Sequence, residues 1–123
     1  MKSKLLAALV AALGLINISH AATGDDWPNQ KIIRLIAVFP AGGSVDQVAR
    51  ILAPALQNQL KQTVIVENIG GASGVIGTAA LAKAAPDGYT FAVVFDTHGV
   101  NPSLKDKLPY DTVKDLTTIN MIG

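Results

Sequence analysis

The chain has 123 residues, of which 50% are apolar and 15% charged, with no cysteine and a formal net charge of +1. The missing cysteines exclude disulfides, thiolate zinc sites and thiol catalysis, so stability must come from an apolar core. The positive charge is deceptive, because Lys2 and Lys4 belong to a segment with the character of an export signal.

Residues Met1 to Ala21 combine that basic start with an apolar run from Leu5 to Ile16 and the small residues of Ser19-His20-Ala21 around a cleavage point. A membrane anchor is the competing interpretation, but a spanning helix needs ~20 apolar residues. This run stops after 12, before Asn17. Cleavage and export without membrane insertion are therefore expected. The remaining 102 residues, 22–123, carry 8 basic and 9 acidic side chains and are about 46% apolar, an ordinary globular share. No charge argument for nucleic acid or an anionic membrane survives. Such a length makes one small core.

Lys31 to Phe39 is a nearly unbroken apolar run ending at Pro40, as expected of a strand buried on both faces. Ser44, with Gln47 three residues on, has the pattern of a capping box. Val45, Val48, Ala49, Leu52, Leu56 and Leu60 then fall on one helical face, with Pro54 predicted to kink or divide the helix. Thr63 to Glu67 reads as a second strand, Val75 to Ala84 as a second helix, and Tyr89 to Phe95 as a third strand after the turn Ala85-Pro86-Asp87-Gly88. This βαβαβ order predicts an α/β fold with a parallel sheet and right-handed crossovers. Asp96 to Asp115 reads as irregular, and Thr117 to Ile122 as the start of a further strand at which the sequence ends.

Both strand-to-helix connections are rich in glycine: Pro40-Ala41-Gly42-Gly43-Ser44 and Gly70-Gly71-Ala72-Ser73-Gly74. In a parallel sheet they lie at the carboxyl edge, where ligands bind, and each opens a helix whose first amides favour an anion. A tight turn tolerates glycine without any ligand, so the force of the pattern lies in two such loops on one edge. Neither loop supplies the lysine of a P-loop, and Gly71, Gly74 and Gly77 are spaced three and three where the dinucleotide fingerprint needs two and three. A nucleotide is disfavoured. A carboxylate needs only amides and hydroxyls, and Ser44, Ser73 and Thr97 offer the latter. No metal or other cofactor is expected, since His98 lacks a histidine partner in the processed chain. Asp46 suits the first turn of a helix whatever the function, and Arg50 is placed to pair with it.

Leu35 to Asp46 with Ala49-Arg50, Val64 to Asn68 with Gly71 to Gly74 and Ile76-Gly77, Ala84 to Thr90, and Asn101 to Leu104 with Leu108 to Asp111 together resemble the substrate-binding proteins of tripartite tricarboxylate transporters, the Bug receptors. The resemblance runs from about Trp27 to Gly123. It implies the first lobe of a two-lobed, Venus-flytrap-like periplasmic receptor that closes around a small di- or tricarboxylate and hands it to the membrane permease subunits. The second lobe is expected to be missing from the sequence. Carried over onto matching positions, the ligand-binding residues are Phe39, Ala41, Gly42, Gly43, Asp46, Gly71, Ala72, Ser73, Thr97 and His98. Val38, Lys105 and Thr118 depart from the family pattern, outside both glycine loops. The expectation is a receptor without catalysis. Two alternatives stand beside it: a secreted serine hydrolase using Ser73 and His98, although glycine follows Ser73 at once where a nucleophile elbow has another residue first, or a truncated product without function.

Overall fold

The computed structural model describes residues 26–122. The expected export signal and residues 22–25 lie outside them. Three strands, β1 (Ile33–Ala37), β2 (Val64–Asn68) and β3 (Thr90–Val93), alternate with helices α1 (Ser44–Leu60), α2 (Val75–Ala82) and α3 (Thr97–Leu104), and a 3-10 turn, Ala72–Gly74, leads into α2. The expected α/β architecture is what the chain adopts.

The sheet is parallel with order β2-β1-β3, and β1 pairs with β2 from Ile33 opposite Val64 to Ala37 opposite Asn68, and with β3 from Arg34 opposite Thr90 to Ala37 opposite Val93. The chain therefore steps from β1 to β2 in one direction and from β2 to β3 in the other. Crossovers of one hand that run in opposite directions leave their helices on opposite faces. The packing agrees: Ile33, Leu35 and Ala37 meet Val45, Ala49 and Ala53 of α1, whereas Val38 lies under Gly74 and Gly77, at the start of α2. Covered on both sides, β1 can be almost wholly apolar. The reversal of direction opens a crevice at the carboxyl ends of β1 and β3, the usual ligand position of such sheets.

Four sequence expectations are corrected. Ser44 is the first helical residue, not the cap: Gly43 occupies the cap in an extended conformation and no side chain bonds there, so the Ser44–Gln47 capping box is not formed. Pro54 does not divide α1, which runs 17 residues through it; Pro54 is solvent-exposed, where water can take up the carbonyl that loses its amide partner. Asp96 to Asp115 is not wholly irregular, because α3 starts with i→i−3 bonds from His98 to Phe95 and from Gly99 to Asp96 and carries Pro102 inside it. Thr117 to Ile122 forms no strand: it pairs with neither edge of the sheet, and Ile119 and Met121 are 73% and 92% exposed. Among the described residues no helix is long and apolar enough to cross a membrane.

One polar cluster stitches the first loop to the sheet. The Asp46 side chain, 4% exposed, accepts the Gly42 amide at 2.8 Å, Arg50 Nε at 3.0 Å and Asn68 Nδ2 at 2.9 Å. Asn68 Nδ2 also reaches the Phe39 carbonyl at 3.2 Å, and Arg50 Nη2 donates to Asn68 Oδ1 at 3.3 Å. Arg50, then the Gly42 amide and Asn68, hold the Asp46 carboxyl at about 2, well below its ordinary value.

Two outcomes follow from this packing. A Cβ at Gly77 would collide with the Ile69 carbonyl oxygen and come within 2.9 Å of Val38 Cγ1, so Gly77→Val should lower stability by about 2 kcal/mol or more, read from the urea midpoint. Because the folded-state pKa of Asp46 lies below its unfolded value, the stability it contributes is present above about pH 4 and is lost as pH falls toward 2. Asp46→Asn should therefore lower the urea midpoint at pH 6 and flatten its decline between pH 4 and 2.

Candidate functional site

The two glycine-rich loops meet. A Cβ at Gly70 would lie 3.0 Å from Pro40 Cδ and 3.1 Å from Pro40 N, so only glycine at position 70 lets the backbones approach this closely. In the first loop Gly42 takes a positive φ of 87°, which turns its amide inward to Asp46. The first α-helical bond of α1 runs from the Gln47 amide to the Gly43 carbonyl. The amides of Ser44, Val45 and Asp46 precede it and have no intrahelical partner.

In the second loop Gly71, Ala72, Ser73 and Gly74 all have positive φ, at 130°, 50°, 59° and 85°. For the two non-glycine residues this left-handed turn costs roughly 1–2 kcal/mol each. Its hydrogen bonds hold it: Gly74 N donates to the Gly71 carbonyl at 3.0 Å, Thr78 Oγ1 to the Gly74 carbonyl at 2.9 Å, and Asn101 Nδ2 to the Ser73 carbonyl at 3.0 Å. Asn101 is the buried residue of α3, so this last bond fixes Thr97 and His98 relative to the loop.

An open depression of about 360 Å³ lies at the carboxyl edge beside the start of α1. Phe39, Pro40, Ala41, Val45 and Phe95 wall it, and Gly43 and Ser44 complete its lining. The Phe39 and Phe95 rings stand edge to face, 6.4 Å apart at 81°. A second depression, of about 290 Å³, lies along α1 and the β2 edge between Arg50, Gln57 and Val64; neither loop lines it.

Of the ten residues carried over from the resemblance, Phe39, Ala41 and Gly43 line the first depression and Gly42 sits in the same loop. Gly71, Ala72 and Ser73 form the adjoining turn, and Thr97 and His98 open α3. Asp46 differs from the rest, since its oxygens are bonded within the chain beneath the loop. Ser73 and His98 make no hydrogen bond to each other; instead His98 stacks on Tyr110, rings 6.4 Å apart at 12°, and its Nδ1 is buried without a partner, as is Tyr110 Oη. A nucleophile-base pair is not assembled. Among the described residues no cluster of three or more metal-ligating side chains occurs. Sequence reasoning missed Asn101 and Phe95, and did not single out Asn68. Asn68 was detectable as the polar residue ending an apolar strand, whereas Asn101-Pro102 read only as a turn.

Comparison with known proteins adds to this geometry. The model of the tripartite tricarboxylate transporter family receptor matches residues 48–123. BugT of Bordetella pertussis is 40% identical over 98% of the chain, which spans 37% of that relative's length. The periplasmic binding protein BugD superposes with a TM-score of 0.67 at 38% identity, over 70% of this chain and 29% of its own. MatC of Rhodopseudomonas palustris, solved with bound malate, gives 0.64 at 33% identity over 71% and 30%, and R. palustris Rpa4515, solved with adipate, 0.52 at 37% over 55% and 22%. The described sheet is thus a fold shared with part of each larger protein, and the chain spans little more than a third of the curated relatives it matches. With the family model covering more than half of its residues, the chain belongs to the tripartite tricarboxylate transporter receptors, a family of solute-binding proteins and not of enzymes.

Proposed function

We propose that this chain is the first lobe, residues 22–123, of a periplasmic receptor that captures a small carboxylic acid for a tripartite tricarboxylate-type permease, and that residues 1–21 are its cleaved export signal. The observation that carries the reading is the meeting of the two glycine loops at the carboxyl edge, beside helix-start amides that have no intrahelical partner. Those amides suit a carboxylate, through hydrogen bonds strengthened by the ligand's charge. The malate and adipate bound by two relatives belong to that class.

In this reading Phe39, Ala41, Gly42 and Gly43 receive the carboxylate from one side, Gly71, Ala72 and Ser73 from the other, and Thr97 and His98 flank it. Asp46 takes part as the group that shapes the first loop, since its own negative charge is already paired. A second lobe would enclose the ligand and supply much of the selectivity, because a cleft normally surrounds most of what it binds.

Calorimetric titration with malate and adipate, using the chain joined to the second lobe of BugT, tests this. Binding of at least one acid is expected, and no heat from either with a folded protein would refute it. Ala41→Asp places a negative charge where the carboxylate is proposed to sit and should weaken binding at least tenfold, as expected for like charges about 4 Å apart near a protein surface. Expression with residues 1–21 attached should give a periplasmic product whose mass shows loss of the segment ending near Ala21.

A further inference from the structure

The depression beside α1 is walled by carbon. Phe39, Pro40, Val45 and Phe95 present apolar side chains to it, none of its lining residues is charged, and Ser44 is its one polar side chain. The one basic side chain of α1, Arg50, is committed to Asp46 and Asn68. The donors lining the depression are thus the helix-start amides and one hydroxyl; Ser73, Thr97 and His98, which flank the proposed carboxylate, do not line it.

We infer that this lobe selects carboxylic acids whose carbon next to the bound carboxylate is an unsubstituted methylene, and that Phe95, together with Phe39, is the residue that imposes this choice. The inference rests on the proposal that the two loops hold a carboxylate. With the head group at the start of α1, the next carbon of the ligand lies against the edge-to-face aromatic pair. A methylene there gains from leaving water. A hydroxyl in the same place exchanges part of its water for ring carbon, and Ser44 is the one lining side chain that could pair with it. The relatives do not decide the matter in advance, since one was solved with adipate, which has no hydroxyl, and another with malate, which has one.

Succinate and tartrate form the matched probe pair: equal chain length, equal charge, and a difference only in the two hydroxyls. Titration of the isotope-labelled chain, following the amide signals of Ala41 to Val45 by NMR, reads binding at this lobe itself. Succinate should bind at least about tenfold more tightly than tartrate. Phe95→Ser should shrink that ratio severalfold, and Phe95→Leu, which keeps an apolar wall, should preserve it. Phe95 is 52% exposed, and spectra with unchanged dispersion would confirm that the variants stay folded. Equal affinities for the two acids, or a ratio that Phe95→Ser leaves unchanged, would overturn the inference while leaving carboxylate binding standing. Signals that move with neither acid would overturn the carboxylate site together with the inference.

Discussion

The first loop depends on a single buried carboxylate. Asp46 sits one turn into α1, yet its bonds run backward to the Gly42 amide, sideways to Arg50 and across the sheet edge to Asn68. A carboxylate alone in that position would be costly to desolvate, and it is tolerated because each oxygen is met by donors, one of them charged. The result is a loop whose left-handed Gly42 and extended Gly43 are held by a side chain in addition to one long backbone bond, from the Gly43 amide to the Pro40 carbonyl at 3.4 Å. The amides that precede the first helical bond consequently keep their place without being used up.

The second loop reaches a comparable rigidity by a different route. Four consecutive residues at positive φ are a strained arrangement when two of them are alanine and serine, and such strain persists only where neighbours overdetermine it. Here the neighbours are the Thr78 hydroxyl and the amide of Asn101, the first from α2 and the second from α3. Gly70 and Gly77 then remove the two Cβ atoms that would push the loop off Pro40 and α2 off Val38. Three successive strand ends, each followed by a helix, are in this way locked to one another at the same edge.

Much of this architecture was legible in the residues. Three strands and two helices followed from periodicity and turn chemistry, because a doubly covered β1 must be apolar throughout and a helix lying on it must be apolar on one stripe. The α3 helix escaped notice because its defining residue, Asn101, acts at a distance: its amide satisfies the Ser73 carbonyl, 28 positions earlier, and nothing local announces that. The Ser44–Gln47 pattern misled for a related reason. A capping box is a local device, and Asp46, tied to Asn68 across the fold, orders this helix start instead. Thr117 to Ile122 has strand-like composition, but an extended segment becomes a strand only when a neighbour accepts its hydrogen bonds, and neither sheet edge does so here. That the two glycine loops share one edge followed from sheet topology, whereas the ten candidate residues came from the family resemblance. The division of labour among them, with Asp46 beneath the loop and Phe39 at the depression, required coordinates.

The cations are as informative as the carboxylate. Arg34 on β1 and Arg50 on α1 are each matched to an acid, Glu67 and Asp46 respectively. With Arg50 paired inside the fold, the neutral dipoles of the helix-start amides are what the proposed carboxylate would meet. A guanidinium in a closed cleft can grip a carboxylate through two charge-assisted bonds, which favours slow release. Amides at a helix start attract the same group with a partial charge of about half a unit, so the anion is favoured without being gripped. Under the proposed receptor function, weak individual donors held rigidly would suit release to a permease better than strong ones, since affinity would then come from closure around the ligand and be lost when the cleft opens. The pairing of Arg50 with Asp46 helps order the loop that presents the amides and, under the proposed function, withholds a charge that would slow release.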